Sequence, residues 1–270
     1  MTWVLGKPFH QDAYVYSLLI SDVCVTYTDS TTGKKICKDC LLKVHDISTE
    51  NGLIVGFAGR VEHAFNIIDD MRILAASMSL KSANRKFDVL DFIIEWRKYT
   101  TQNKKHLYPN DNEHGVHMLI AGNHTENNST GNKYIPCAVY KIEAPDYRPM
   151  SVHPFHWMDI GSGKSMTVCK QIADQLSNDF RFRVLAIDNS PTDMVDFLAP
   201  KISAALEQGK VQPGVSKQLV IGISTVGDTG IAATFRTDSG NSSPMDKLAT
   251  TYEELDQMLS GGDAKAVYFG

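Results

Sequence analysis

The sequence predicts an α/β protein built as a four-layer αββα sandwich, in which two antiparallel sheets lie face to face and helices cover their outer sides. Segments rich in β-branched and aromatic residues fill roughly the first sixty positions. Segments with apolar residues at helical spacing then occur in pairs, twice along the chain. Strands and helices are grouped instead of alternating one by one, which favours antiparallel sheets over parallel βαβ units.

The first part of the chain is predicted to be mostly strands. Tyr16, Ile20 and Val23 are typical of the β-branched and aromatic residues found there. The predicted strands are 3–7, 15–27, 41–47 and 53–58, with turns at 8–12 and 48–52 and a polar loop at 29–35.

Two helices are predicted next, because apolar residues recur every three or four positions in 61–76 and 88–99. The remaining predicted elements are strands at 116–121, 137–143, 153–160, 219–225 and 231–237, and helices at 165–176, 190–206 and 252–259. Ser190 followed by Pro191 is a typical helix start.

The chain is predicted to form a single domain over residues 1–270, with 238–270 as a possible C-terminal extension. Apolar residues make up 43% of the 270, which is enough for a sizeable core. The net charge of −4 argues against a nucleic-acid surface, and no apolar run is long enough to span a membrane. The five cysteines are expected to be reduced, and a cytoplasmic location is expected.

Four short stretches carry a resemblance to a known family. They are Met1-Thr2-Trp3-Val4-Leu5-Gly6, Ser21-Asp22-Val23-Cys24-Val25-Thr26, Leu42-Lys43-Val44 leading into Gly56-Phe57-Ala58-Gly59, and Ile160-Gly161-Ser162-Gly163. In this order and spacing they resemble proteasome β-subunit-type peptidases, which are N-terminal-nucleophile hydrolases. The bacterial peptidase HslV and the Anbu-type proteasome homologues belong to this family. The resemblance covers roughly residues 1–76 and, more loosely, 155–177.

The resemblance implies that Thr2 becomes the N-terminal nucleophile once Met1 is removed. A threonine hydroxyl needs a base, and an N-terminal threonine supplies its own α-amino group. A neighbouring lysine keeps that amine neutral by like-charge repulsion, and a carboxylate holds the lysine in place. The resemblance gives these two roles to Lys43 and Asp22.

The resemblance also assigns residues that stabilise the reaction and bind substrate. Gly59 matches the glycine whose N–H group binds the oxyanion, and Ser162 matches a serine that hydrogen-bonds the terminal amine. Phe57 and Val61 match the walls of an apolar specificity pocket, and Thr26 matches a substrate-binding position.

Other readings of the same residues remain open. The family's Asp-x-x-Ser-Gly stretch is missing, and Pro213 stands where its aspartate would be in the nearest candidate, which ends at Ser216. Residues 161–165 look like the end of a P-loop, but Met158 occupies the position of the required first glycine. Cys37 and Cys40 have zinc-ligand spacing without a second pair. No cofactor and no metal are therefore expected.

The leading functional prediction is a threonine peptidase that cuts protein or peptide substrates inside a homo-oligomeric ring, with a separate AAA+ unfoldase as a possible partner. Nucleic-acid and membrane partners are not expected. Two alternatives are a catalytically inactive ring component or scaffold of the same fold, and an amidase acting on a small amide.

Overall fold

The structure, a computed structural model, describes residues 3–11, 14–29, 32–81, 88–103, 115–124, 126–127, 133–134, 137–152, 156–161, 216, 218–225, 228–234, 248–260 and 268. Within these residues the strands are β1 (Trp3–Gln11), β2 (Tyr14–Asp22), β3 (Cys24–Thr28), β4 (Lys35–Asp39), β5 (Val44–Ser48), β6 (Leu53–Ala58), β7 (His117–Asn123), β8 (Glu126–Asn127), β9 (Lys133–Tyr134), β10 (Cys137–Glu143), β11 (Met150–Ser151), β12 (Met158–Gly161), β13 (Leu219–Thr225) and β14 (Asp228–Thr234). The helices are α1 (Val61–Lys81), α2 (Val89–Asn103) and α3 (Tyr252–Ser260), and a 3-10 turn spans Thr49–Asn51.

Two five-stranded sheets form the centre of the described part. The first sheet has the order β12-β1-β2-β13-β14, and the second has the order β11-β10-β7-β6-β5. The ladders in both sheets are antiparallel, as they are in the short β3–β4 and β8–β9 pairs. The prediction of a mixed α/β protein with mostly antiparallel sheets is therefore confirmed.

Alternating side chains explain why the two sheets pack against each other. On β6, Ile54 and Ala58 belong to the apolar cluster between the sheets, whereas Val55 and Phe57 belong to the cluster under the helices. Successive residues of a strand point to opposite faces, so a strand that is apolar throughout is buried on both sides. The second sheet is accordingly covered on one side by the first sheet and on the other by helices.

The two sheets approach closely where glycines face the partner sheet. A Cβ atom at Gly56 would lie 2.7 Å from Cγ1 of Val4, and a Cβ atom at Gly222 would lie 2.6 Å from Cγ1 of Val44. Any larger residue at either position would push the sheets apart.

The helix starts are fixed by local hydrogen bonds. Asp88 Oδ1 accepts the N–H groups of Leu90, at 2.7 Å, and of Asp91, at 3.3 Å, at the start of α2. At the start of α3, Thr251 Oγ1 accepts the N–H of Glu254. Both arrangements satisfy N–H groups that have no partner inside the helix.

Several element predictions need correction. The predicted turn at 8–12 is wrong up to Gln11, because β1 continues through Pro8, which pairs with Ser17. The predicted strand 15–27 is divided at Val23 into β2 and β3, and β4 was not predicted. The helix predicted to end at residue 76 continues to Lys81. The predicted helices at 165–176 and 190–206 lie outside the described residues.

Among the described helices, none combines the length and the apolar character needed to cross a bilayer.

Candidate active site

The strand pairing brings three distant parts of the chain to one end of the sandwich. β1 begins at Trp3, β2 ends at Asp22, and Lys43 directly precedes β5. Val4 lies opposite Ser21 in the β1–β2 ladder, so the backbone of Trp3 lies beside the last residue of β2. A short-range sequence pattern cannot produce this meeting, because it depends on the register of the first sheet.

Lys43 and Asp22 form a fully buried ion pair. Lys43 Nζ lies 2.8 Å from Asp22 Oδ1 and donates to the Cys24 carbonyl oxygen at 2.5 Å, and both charged side chains are 0% exposed. Asp22 also accepts the Trp3 N–H at 3.2 Å and the Cys24 N–H at 3.3 Å. A buried charge is tolerated only when it is paired and hydrogen-bonded in this way.

Burial dominates the electrostatics at this point. It raises the pKa of Asp22, while the Lys43 ammonium and the N–H groups of Trp3 and Cys24 oppose that shift by stabilising the carboxylate. Burial also raises the pKa of the Cys24 thiol to about 12. Cys24 therefore stays a neutral thiol at pH 7, and its contribution to the ion pair comes from its backbone.

Gly59 forms a sharp turn between β6 and α1. Its φ angle is +114°, a value that favours glycine, and a Cβ atom there would lie far inside van der Waals contact with the Gly115 carbonyl oxygen. The Phe57 N–H donates to the Lys43 carbonyl oxygen at 3.1 Å. Gly59 therefore lies two residues after Phe57, whose backbone is hydrogen-bonded to that of Lys43.

The predicted pocket residues lie in different environments. Phe57 and Val61 are 0% exposed and belong to the cluster under the helices. The Phe57 ring stacks on His45 at a centroid distance of 5.9 Å and meets Phe65 edge-on at 5.7 Å. Thr26 is partly exposed on β3, with its Oγ1 3.5 Å from Cys37 Sγ. In this structure Phe57 and Val61 have no surface that a substrate could contact.

Two predicted site residues, Thr2 and Ser162, lie outside the described residues, as does Met1. Their described neighbours, Trp3 and Gly161, are paired in the β1–β12 ladder. Gly161 has a φ angle of +87°, in the region that favours glycine.

Sequence reasoning missed the backbone role of Cys24 and the position of His45. The His45 ring is 2% exposed, and its Nε2 lies 2.9 Å from the Leu42 carbonyl oxygen. Burial lowers the pKa of His45 to about 3, with the Arg72 charge adding to this shift. The only local signal was the spacing of His45 two residues after Lys43, which places both on one side of an extended segment.

Ser216, the end of the nearest candidate for the missing family motif, is also close to this end of the sandwich. It is buried, donates to Asp39 Oδ2 at 2.7 Å and accepts the Gln218 N–H at 2.8 Å. Its hydroxyl therefore binds the carboxylate at the end of β4 and not the Lys43–Asp22 pair.

The described residues contain no cluster of three or more His, Cys, Asp and Glu side chains arranged to hold a metal ion. Among the described residues, Cys24, Cys37, Cys40 and Cys137 form no disulfide bond. Residues 162–165, the end of the P-loop-like stretch, lie outside the described part.

No protein-family model matches the chain, and no curated protein matches it either. An account of its function therefore depends on the buried Lys43–Asp22 pair and the residues around it.

Proposed function

We propose that the protein is a threonine peptidase of the N-terminal-nucleophile class, with Thr2 as its nucleophile after removal of Met1. One observation carries the proposal: a buried lysine–aspartate pair is hydrogen-bonded to the backbone of Trp3, one peptide bond from Thr2. Replacing a buried ion pair by hydrophobic residues of similar volume is often neutral or stabilising, so a role in the chemistry gives a reason for this pair that stability does not. The resemblance of the first 76 residues to proteasome-type peptidases points the same way.

The proposed chemistry uses the α-amine of Thr2 as the base. The amine takes the hydroxyl proton while the hydroxyl oxygen attacks the peptide carbonyl carbon, and the Gly59 N–H stabilises the oxyanion. The proton then passes to the leaving amine as the C–N bond breaks, which leaves an ester on Thr2. Water hydrolyses this ester and regenerates the hydroxyl. Lys43 keeps the amine neutral through its charge, and Asp22 holds Lys43.

Ser162 is proposed to hydrogen-bond the Thr2 amine. The antiparallel β1–β12 register pairs Trp3 with Gly161. If this register continued by one residue, position 162 would lie opposite position 2, and this supports the proposal.

The four-layer sandwich is part of the same proposal. Leu18, Ile20, Ile221 and Ile223 point away from the second sheet and are 0% exposed. Apolar side chains on that face need a cover, and we propose that the predicted helices at 165–176 and 190–206 supply it.

A homo-oligomeric ring is proposed as the working form, with a cytoplasmic location and a separate AAA+ unfoldase as a possible partner. Ile73 and Leu80 on α1 are 68% and 85% exposed, and Ile94 and Tyr99 on α2 are also exposed. Exposed apolar residues on adjacent helices are typical of surfaces that bind other subunits. Light scattering at micromolar concentration is expected to give six or more subunits, and a monomer would contradict the ring.

A catalytically inactive ring component is the second candidate, because one observation favours it. Phe57 and Val61, the proposed pocket walls, are 0% exposed. A substrate side chain reaches them only if the pocket opens. This candidate keeps the fold and the oligomer, and it predicts no turnover.

The deciding experiment begins with the N-terminus. Intact mass spectrometry of the protein from bacterial cells is expected to show loss of Met1, because the second residue is small. An electrophilic probe selective for N-terminal threonine is then expected to label Thr2, as located by peptide mapping. Full retention of Met1 would contradict the peptidase proposal, since the Thr2 amine would then be part of a peptide bond and could not act as the base.

Activity on short peptides with an apolar residue before the scissile bond separates the two candidates. The parent chain is expected to cleave them, and Thr2→Ala is expected to lose all cleavage while the oligomer stays intact. Labelling of Thr2 without cleavage of any peptide would favour the inactive ring component.

A further inference from the structure

The C-terminal segment, defined here as residues 248–260 and Tyr268, contacts the chain just before Lys43. Ala249 forms a parallel bridge with Leu41. Its N–H donates to the Cys40 carbonyl oxygen at 2.7 Å, and its own carbonyl oxygen accepts the Leu42 N–H at 3.0 Å. Leu248 and Ala249 are 3% and 0% exposed, so this contact belongs to the interior and not to a loose tail.

The backbone of Tyr268 contacts the turn at Gly59. The Tyr268 carbonyl oxygen accepts the Val61 N–H at 2.9 Å. Val61 is the first residue of α1, and the first N–H groups of a helix have no partner within the helix. Tyr268 supplies that partner and so holds the Arg60–Val61 peptide group, which lies two peptide groups along the turn from the one that contains the Gly59 N–H.

The Tyr268 side chain is anchored on two sides. It is 1% exposed, its ring meets the Tyr27 and Tyr252 rings at centroid distances of 5.9 Å each, and its hydroxyl donates to Asp256 Oδ1 at 2.7 Å. Burial and the Asp256 carboxylate both raise the pKa of Tyr268, so the hydroxyl stays a donor. A carbonyl attached to a side chain held in this way has little freedom to move.

Tyr268 also shares an apolar cluster with the proposed pocket. Val61 and Phe57 belong to the same cluster under the helices, and Tyr27 packs against it from β3. The C-terminal segment therefore touches the lead-in to Lys43, the turn that carries the oxyanion donor, and the pocket wall.

We propose that Tyr268 is a positioning residue for peptide hydrolysis: its carbonyl holds the Val61 N–H and so aims the Gly59 N–H at the oxyanion. This inference rests on the proposed peptidase function. It treats the C-terminal segment as a part that completes the site, in contrast to a lid that must leave before substrate enters. The two possibilities predict opposite effects of removing Tyr268 on the rate.

The experiment compares two truncations of the full chain. Ending the chain after residue 267 removes Tyr268. Ending it after residue 268 keeps the residue, and the oxygen that accepts the Val61 N–H then belongs to the terminal carboxylate. The shorter chain is expected to lose about 10- to 100-fold in kcat on a short apolar peptide, in line with a misplaced oxyanion donor, with KM changed less than threefold. The longer chain is expected to keep kcat within twofold of the parent.

A second readout does not depend on activity. Hydrogen exchange of the peptide spanning residues 57–66 is expected to speed up in the chain ending at 267 and to stay at the parent rate in the chain ending at 268. Tyr268→Phe keeps the ring and the carbonyl, so in the full chain it is expected to keep both kcat and exchange protection at the parent level. Tyr268→Ala is expected to lower both. Circular dichroism and light scattering confirm that the variants stay folded and assembled.

The outcomes separate this inference from the proposed function. Unchanged kcat and unchanged exchange in the chain ending at 267, with an active parent, would overturn the role of Tyr268 alone. A rise in kcat on that truncation would overturn it in favour of a lid. A parent chain that is inactive and whose Thr2 is not labelled would overturn the peptidase proposal. The role of Tyr268 in hydrolysis would then be overturned as well, even if hydrogen exchange shows that Tyr268 stabilises the turn.

Discussion

The buried end of the sandwich and the surface of α2 each contain a lysine–carboxylate pair, and the two pairs differ in everything except distance. Lys43 Nζ lies 2.8 Å from Asp22 with both side chains 0% exposed, whereas Lys98 Nζ lies 2.6 Å from Glu95 with the side chains 59% and 52% exposed. Water screens the exposed pair, so its net stabilisation is about 0.5 kcal/mol or less. In the buried pair, each charge is stabilised by the other and by backbone groups instead of by water. Distance alone therefore says little about what an ion pair does.

The largest expected effect comes from breaking the buried pair. Lys43→Met leaves Asp22 buried without its cation, so we expect a loss of about 3–5 kcal/mol in the free energy of unfolding together with loss of all peptide cleavage. The double variant Lys43→Met/Asp22→Asn removes both charges and is expected to recover most of the stability but no cleavage. Urea unfolding and peptide assays measure the two effects.

Lys98→Met is the matched control for this prediction. It is expected to leave cleavage unchanged and to alter the free energy of unfolding by less than about 0.5 kcal/mol. Cleavage by the stable double variant would show that the buried pair is structural and that the site has been misassigned.

A second comparison is between the turn at Gly59, near the buried Lys43–Asp22 pair, and the exposed turn at Gly33. Gly59→Ala forces a φ angle of +114° on alanine and drives its Cβ into the Gly115 carbonyl oxygen, so we expect a loss of at least about 3 kcal/mol. Gly33 has a φ angle of +66°, but a Cβ there would meet nothing within 4 Å. Gly33→Ala is expected to cost only about 1 kcal/mol. Equal losses in chemical unfolding would mean that the Gly59 turn is not held by its surroundings.

The pH dependence of stability is a third test of the buried end. The pKa of His45 is lowered from 6.5 to about 3, so the unfolded chain binds its proton first as the pH falls. The stability that comes from neutral His45 is complete above pH 6.5 and is lost as the pH falls from there towards 3. We expect His45→Gln to flatten the curve in this window by up to about 1.4 kcal/mol per pH unit.

Urea unfolding at pH 7, 6 and 5, at constant protein concentration, measures this slope. His117→Gln is the control, because the His117 ring is 38% exposed and bonds to the exposed Glu143. A parent slope that His45→Gln leaves unchanged would contradict the buried, neutral state of this ring.

The smallest expected effect is the response of the surface pair to salt. Glu95→Gln is expected to cost less than about 0.5 kcal/mol at low ionic strength and nothing measurable in 1 M sodium chloride. The cost of Lys43→Met is expected to stay the same in both salts, because a buried pair is poorly screened. Thermal unfolding at the two salt concentrations measures both.

The secondary structure was predicted best where one pattern dominated. The strands at 53–58, 137–143 and 219–225 were predicted with the bounds that the structure has, because each is a short segment rich in apolar residues. β4 was missed because Lys35, Lys38 and Asp39 are polar, and its only described partner is β3. A strand at the surface carries no apolar alternation that would mark it.

The candidate site was predicted unevenly. The sequence singled out Asp22 and Lys43 through a resemblance, and the structure brings them within 2.8 Å of each other. Nothing in the sequence indicated that Cys24 would offer both its N–H and its carbonyl oxygen to this pair, since backbone groups carry no sequence signal. The contact of Tyr268 with Val61 could not be predicted either, because 207 positions separate the two residues and no local pattern connects them.

By itself, the sequence determined most of the described strands, the three described helices and the two-faced burial of the strands, because local periodicity decides which side of an element is apolar. It also supplied the residues for the proposed chemistry, from Thr2 to Gly59. Only the tertiary structure decided that Lys43 and Asp22 are buried together, that Phe57 and Val61 are closed off, and that Tyr268 holds the start of α1. These contacts follow from strand register and long-range packing, which are settled by the whole chain at once.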